Sequence, residues 1–150
     1  ERPAFRDAFR SRRCLVPADG FYEWTGSREA RRPFWFHRPD DELLMFAGLY
    51  AEAQLPGEVS PTTTFTIVTT PARGAVRQIH DRMPAILESS EAADEWLTPG
   101  QEAEHLSALL RPAAPELLVA RAVSHRVNAV AFDDPSCLVE AESETQGALL

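Results

Sequence analysis

The run from Thr63 to Thr70 constrains the fold of this chain most, because nearly every residue in it is β-branched or aromatic. Such residues lose side-chain freedom in a helix and suit the pleated, half-buried surface of a sheet. The run therefore predicts a strand. Shorter runs of the same kind, each bounded by turn-forming or charged residues, predict further strands. They lie at Cys14–Val16, Phe21–Thr25, Pro33–His37, Leu43–Tyr50, Met83–Leu87 and within Leu117–Val130.

Helical periodicity is confined to short segments. Phe5, Ala8 and Phe9 follow an i, i+3, i+4 spacing, and this predicts a helix over Pro3–Ser11 with its proline in the first turn. Short strands interspersed with short helices predict the α+β class, as a β-rich domain arranged as a distorted barrel with peripheral helices. Further helices are predicted at Ser89–Leu97 and Gln101–Leu110, with a loop or short helix at Pro71–Ile79.

The length of 150 residues, with 44% hydrophobic and 25% charged residues, indicates one soluble globular domain. No apolar run approaches the roughly 18–20 residues that span a bilayer, so no membrane association is expected. The sequence contains no Gly-rich phosphate loop and no metal-ligand cluster, and we therefore expect neither a cofactor nor a metal.

The two cysteines, Cys14 and Cys137, lie far apart and match no metal-ligand spacing. This indicates a reduced, cytoplasmic protein, with a Cys14–Cys137 disulfide as the alternative. Cys14 follows two arginines, so it is either a nucleophile in an electropositive setting or a buried free cysteine.

Charge is unevenly distributed along the chain. The net charge of -8 argues against indiscriminate binding of nucleic acid. Residues 1–38, however, hold nine arginines and five acids, whereas residues 39–150 hold six arginines and 18 acids. The basic N-terminal stretch indicates a face that could contact phosphates, and a solvated helix face is the alternative.

Two titratable side chains lie among apolar residues in separate motifs. Glu23 stands between Tyr22 and Trp24, and His80 follows Ile79. Burial and neighbouring charges can move such pKa values toward neutrality, as general acid–base catalysis requires. Strand alternation places Glu23 on the face opposite the two aromatic residues. We predict catalytic roles for Glu23 and His80. The alternatives are a Glu23 that faces water or pairs with an arginine, and a structural or exposed His80.

Three further side chains are candidate ligand contacts. Arg82 is suited to hold a phosphate, although a surface ion pair with Asp81 is the alternative. Thr69 stands at the end of the predicted strand, where its hydroxyl could face a ligand, or it could be ordinary strand composition. Trp24 could stack on nucleic-acid bases, with packing in the core as the alternative.

Three long motifs occur in a fixed order: Arg13–Trp24 (RCLVPADGFYEW), Phe65–Ala72 (FTIVTTPA) and Ile79–Ile86 (IHDRMPAI). They resemble the SRAP family, the SOS response-associated peptidases that act in the DNA damage response as abasic-site processing proteins. The later segment Ala122–Asn128 is similar to the closing strand of that family. Together the matches extend from about residue 3 to residue 132 of this chain.

The resemblance implies covalent chemistry. In the family, the α-amine and thiol of an N-terminal cysteine attack the aldehyde of an abasic site in single-stranded DNA, first as a Schiff base and then as a thiazolidine crosslink. Glu23 matches the proton-transferring glutamate, and His80 matches the histidine that helps to open the deoxyribose ring. Arg82 and Thr69 match positions that contact the DNA, and Arg2 falls near a basic residue that touches phosphate.

The family's N-terminal cysteine and its Asn-Ala-Arg segment have no match here. We therefore expect an N-terminally truncated chain in which residues 1–132 are the C-terminal portion of an SRAP domain and 133–150 form an acidic tail. The expected protein is a bacterial cytoplasmic monomer that acts at the nucleoid, and its partner is single-stranded DNA with abasic sites. Alternatives are a thiol-dependent peptidase or hydrolase and a non-catalytic DNA-binding remnant; lyase activity would accompany crosslinking.

Overall fold

The computed structural model describes residues 3–27, 29–57 and 59–141, apart from the side chains of Pro3 and Ala4. Within these ranges the chain forms eight strands and four short α-helices, so the α+β class is confirmed. The strands are β1 (Arg13–Ala18), β2 (Phe21–Thr25), β3 (Arg32–His37), β4 (Leu44–Ala53), β5 (Thr62–Ile67), β6 (Thr69–Pro71), β7 (Arg82–Pro84) and β8 (Val119–Ala122). The helices are α1 (Pro3–Ser11), α2 (Gly74–Arg77), α3 (Ser90–Leu97) and α4 (Ala103–Leu109).

The strands form three antiparallel sheets, in the orders β1-β4-β5, β2-β3-β8 and β6-β7. The predicted barrel does not close among the described residues. The segment after β7 joins the third sheet to the first, through the bridge between Phe46 and Ile86 and through backbone hydrogen bonds such as Ala47 N to Ala85 O.

β4 divides the interior into two apolar clusters, because its side chains alternate between opposite faces. Leu44 and Phe46 point into a cluster with Phe36, Val76 and Met83. Ala47 and Leu49 point into a second cluster. Its other members include Ala8 of α1, Trp96 of α3, Leu106 of α4 and Leu87, which follows β7. The first cluster lies beneath the predicted catalytic residues.

The predicted single strand over Thr63–Thr70 is wrong at Val68. There the backbone changes partners: the Val68 N–H donates to Ala47 O, and the Val68 carbonyl accepts from Ala85 N. The chain thereby leaves β4 and enters the sheet with β7. Exchange of strand partners depends on distant residues, which local β propensity does not encode.

The strand predicted within Leu117–Val130 is confirmed as β8, but only the first residue of the segment Ala122–Asn128 belongs to it. β8 ends at Ala122, and the Ser124 hydroxyl then caps a 3₁₀ turn over His125–Asn128 by accepting from Arg126 N. Residues 133–141, the described part of the predicted tail, return to the domain. Val123 forms a bridge with Glu140, and the Ala141 N–H donates to Ala122 O.

None of the helices in the described part of the chain is long and apolar enough to cross a bilayer.

Candidate active site

Glu23 occupies the centre of β2, on the face that also carries Phe21. Phe21 packs against the first core cluster, where its ring stacks on Phe36 with centroids 5.3 Å apart. The same face therefore passes from a partly buried aromatic ring to a carboxylate within two residues. The Glu23 side chain is only 22% exposed, so the carboxylate lies at the rim of the core rather than in open solvent.

His80 is positioned from the opposite side of that core by α2. Val76, within this helix, is buried in the first cluster, and its carbonyl accepts the His80 N–H at 2.8 Å. The helix begins at Gly74, whose positive φ of 55° favours glycine and where a Cβ would come within 2.9 Å of Pro115 O. The backbone thereby fixes the position of the His80 imidazole.

β2 and α2 bring Glu23 and His80 together, although the two residues are 57 positions apart in the sequence. His80 Nδ1 lies 3.9 Å from Glu23 Oε1, and 3.5 Å from Asp81 Oδ1. Burial raises the pKa of the Glu23 carboxyl above its ordinary value; His80 opposes this shift and Asp81 adds to it. A carboxyl with a raised pKa beside an imidazole is an arrangement suited to proton transfer.

The backbone of Arg82 supports His80 in either protonation state. The Arg82 N–H lies 3.1 Å from His80 Nδ1 and donates to it when that nitrogen is unprotonated. The Arg82 carbonyl lies 3.0 Å from the same nitrogen and accepts from it when it carries a proton. Because both partners lie on β7, the backbone of this strand orients the His80 ring.

The Arg82 side chain extends across the two-stranded sheet to Thr69. Its guanidinium donates to the Thr69 hydroxyl from Nε at 3.2 Å and from Nη2 at 2.9 Å, and to the Thr69 carbonyl at 2.6 Å. Both residues are exposed. The structure therefore brings Thr69 and Arg82 together beside His80 and orients a cation at the surface, as contact with a phosphate would require.

Trp24 lies on the reverse face of β2, as the alternation predicted. Its ring lies next to Tyr22 with centroids 6.0 Å apart, and its indole N–H donates to Asn128 Oδ1 at 2.7 Å. The structure therefore does not place Trp24 with Glu23 and His80. Sequence reasoning overlooked Asn128, although the polar turn after β8 contains it.

The remaining candidates lie elsewhere. Arg2 falls outside the described residues. Cys14 and Cys137 are both free, and burial raises the pKa of the Cys14 thiol, which disfavours a reactive thiolate. The Arg13 guanidinium donates to backbone carbonyls that include Phe9 O and Thr98 O, at helix ends.

Across residues 3–27, 29–57 and 59–141, no group of three histidine, cysteine or acidic side chains is placed to hold a metal ion.

Relatives share the sequence over most of the chain. It is 37% identical over 140 residues to the abasic site processing protein YoqW of Bacillus subtilis, a match that covers 92% of this chain and 62% of YoqW. It is also 37% identical over 155 residues to the abasic site processing protein HMCES of Gallus gallus, covering 89% of this chain and 45% of HMCES. The chain thus spans between about half and two thirds of the length of these relatives.

The fold is shared with solved structures as well. A crystal structure of a protein from Bacteroides thetaiotaomicron superposes with a TM-score of 0.82 at 27% identity, over 95% of this chain and 62% of that one. A second, from Bordetella bronchiseptica, superposes with a TM-score of 0.68 at 32% identity. The model of the family "SOS response associated peptidase (SRAP)" matches residues 1–130, which contain Glu23, Thr69, His80 and Arg82. This chain therefore belongs to the SRAP family.

Proposed function

We propose that this protein processes abasic sites in single-stranded DNA, with Glu23 and His80 as the acid–base pair. The observation that carries the proposal is the contact between the two side chains, 3.9 Å apart, with the pKa of Glu23 raised by burial. Relatives named as abasic site processing proteins, at 37% identity, support the choice of substrate.

An abasic deoxyribose exists mainly as a closed hemiacetal, and a nucleophile can attack it only as the open aldehyde. Opening removes a proton from the hydroxyl on the anomeric carbon and delivers a proton to the ring oxygen as the carbon–oxygen bond breaks. One group must act as a base and another as an acid within reach of the same sugar. A carboxylate and an imidazole at the rim of the core meet that requirement.

Formation of the imine needs the same pair. An amine adds to the aldehyde carbon to form a carbinolamine, and loss of water then requires a proton on the departing hydroxyl. A carboxyl whose pKa lies above its ordinary value retains a proton at higher pH than an exposed glutamate. We assign that donation to Glu23, and ring opening to His80.

The identity of the nucleophile rests on the family resemblance. In that family, an N-terminal cysteine supplies the amine and the thiol. Neither Cys14 nor Cys137 has a free α-amine, because both lie within the chain. The raised pKa of the Cys14 thiol and the burial of Cys137 also argue against a thiol hydrolase that uses either residue.

Binding of the DNA near the lesion is assigned to Arg82 and Thr69. The guanidinium is held by Thr69 at two atoms, so it loses little freedom when it meets a phosphate. Trp24, on the reverse face, is assigned to a contact with the flanking strand. Arg2 stays a predicted phosphate contact.

The test is mass spectrometry of the protein, extended to the length of its relatives with the family's N-terminal cysteine, after incubation with abasic single-stranded DNA. We expect a covalent adduct whose formation is slowed in Glu23→Ala and His80→Ala. The absence of an adduct, or one formed equally fast by both variants, would contradict the assignment. Undamaged DNA of the same sequence is the control and should give no adduct.

A further inference from the structure

A groove of about 360 Å³ lies where the start of β4 meets β1 and the N-terminal half of α3. Its apolar lining includes Leu15 of β1 and Met45 of β4, which both pack against the second core cluster. Met45 alternates along β4 with Leu44, whose side chain points into the first cluster. The groove therefore lies on the side of β4 opposite the core beneath the candidate active site.

Leu43 leaves part of the apolar surface of this groove in contact with solvent. It directly precedes β4, and its side chain is 52% exposed. Leu15 and Met45, which line the same groove, are only half-buried. Covering such surface is favourable, and a methionine adapts its shape to whatever apolar side chain is packed against it. The groove can therefore accept apolar side chains from a second molecule.

The rim of the groove carries three exposed carboxylates, from Glu42, Glu88 and Asp94. In the described part of the chain, none of the three forms an ion pair with an arginine or a histidine. Among the described lining residues Arg38 alone is basic, and its guanidinium donates to both carboxylate oxygens of Asp40. The three rim carboxylates are therefore uncompensated, and the groove is negatively charged.

An apolar floor with an acidic rim selects its occupant by charge. The three carboxylates repel the phosphates of nucleic acid. They also disfavour a second copy of this chain, whose net charge is -8. Lysine and arginine side chains, by contrast, pair with carboxylates and lay their aliphatic stems along apolar surface. The size of the groove suits a short segment rather than the broad surface of a permanent complex.

We propose that this groove binds a short basic segment of a partner protein. Apolar side chains of the segment cover Leu43, and its cationic side chains face the three carboxylates of the rim. The inference goes beyond the proposed function and does not depend on it, because none of the groove residues takes part in the chemistry at the candidate active site. A partner bound there leaves that site open, so the protein can hold the partner and DNA at the same time.

Fluorescence anisotropy tests the chemistry of the occupant with three labelled peptides. The first is a short peptide of lysine, leucine and serine. In the second, serine replaces each leucine, and in the third, glutamate replaces each lysine. The lysine–leucine peptide should bind, and its affinity should fall as the salt concentration rises. The other two should bind much more weakly. No binding of the first peptide, or equal binding of either of the others, would overturn the proposal.

Substitutions locate the binding site. Leu43→Ala should weaken binding of the lysine–leucine peptide roughly 3- to 10-fold, because the peptide covers the exposed part of this side chain. Leu55→Ala, at a side chain that is 39% exposed and lies outside the groove, is the matched control and should bind like the wild type. Equal affinities of the two variants for the peptide would place it elsewhere and overturn the proposal.

Reversal of charge tests the rim in the same way. Glu42→Arg combined with Asp94→Arg should weaken binding of the lysine–leucine peptide about tenfold or more. Glu52→Arg combined with Glu116→Arg changes the net charge by the same amount at exposed acids outside the groove. This control should lose much less affinity. Equal losses would show a response to net charge alone and would overturn the groove as the site.

Two further measurements separate the other occupants. An excess of unlabelled single-stranded oligonucleotide should leave the peptide bound, and displacement would overturn the proposal by making the groove a nucleic-acid surface. Sedimentation velocity should show a monomer, whereas a dimer that Leu43→Ala dissociates would make a second copy the occupant. A protein that binds the peptide but, in its extended form, gives no adduct with abasic DNA would contradict the proposed function alone.

Discussion

The two faces of β2 are built by different means. On the front face, Glu23 and His80 are held by strand pairing, by α2 and by core neighbours such as the partly buried Phe21 and the buried Val76. On the reverse face, Trp24 is held chiefly by the amide of Asn128, which also ties two loops together. We therefore expect the arrangement on the front face to be lost when the core is destabilised, whereas substitution of one side chain can alter the reverse face.

The largest expected effect concerns chemistry on the front face. Glu23→Gln removes the proton donor and keeps the shape of the side chain, so adduct formation with abasic DNA should slow by roughly 10²- to 10⁴-fold. Single-turnover kinetics would measure the rate. Glu52→Gln, which changes an exposed carboxylate on β4, is the matched control and should react like the wild type. Equal rates in both variants would remove Glu23 from the mechanism.

A core substitution tests whether the front face depends on the first cluster. Met83 is 2% exposed and lies directly after Arg82 on β7. Met83→Ala should lower the free energy of unfolding by about 2–5 kcal/mol through the cavity it leaves, as urea denaturation would measure. Leu43→Ala, at a side chain that is 52% exposed, should change stability by less than about 0.5 kcal/mol. Equal losses would show that the cluster does not anchor the site.

Asn128→Ala should separate the two faces. Loss of its hydrogen bonds should cost about 0.5–1.5 kcal/mol of stability and weaken binding of undamaged single-stranded DNA. The rate of adduct formation at saturating DNA should stay unchanged, because Asn128 holds Trp24, whose side chain points to the face of β2 opposite Glu23. A lowered saturating rate would show that the faces are coupled.

The smallest effect is a dependence of stability on pH. The pKa of Glu23 is raised in the folded protein, mainly by burial. Its contribution to stability is complete below the unfolded value, about 4.3, and is lost as the pH rises through the folded value. Relative to the wild type, Glu23→Gln should therefore be more stable at pH 7 than at pH 4. Thermal melts at both pH values measure this, and a difference that is independent of pH would contradict the shift.

Local pattern was sufficient for several features of the site. The alternation of Phe21–Thr25 correctly separated Glu23 from Trp24, and helical spacing located α1. The Thr63–Thr70 strand was interrupted because Val68 exchanges backbone partners between Ala47 and Ala85, both distant in sequence. Such exchanges are set by tertiary pairing and leave no trace in local propensity.

The residues of the candidate active site show the same limit of prediction from local sequence pattern. Glu23 and His80 were singled out one by one from their apolar neighbours, but their contact depends on the core cluster shared by Phe21 of β2 and Val76 of α2. The hydrogen bond between Trp24 and Asn128 was not predicted, because Asn128 becomes informative only when the turn after β8 brings it to Trp24. Residues that act through a partner distant in sequence are the ones that pattern alone overlooks.

A double-mutant cycle on Glu23 and His80 tests the central claim most directly. The rate of adduct formation with abasic single-stranded DNA would be measured for Glu23→Gln, His80→Gln and the double variant. Groups that work as one unit give losses that do not add. We therefore predict that the double variant is hardly slower than the slower single variant. Losses that multiply, or a single variant as fast as the wild type, would contradict a functional Glu23–His80 pair.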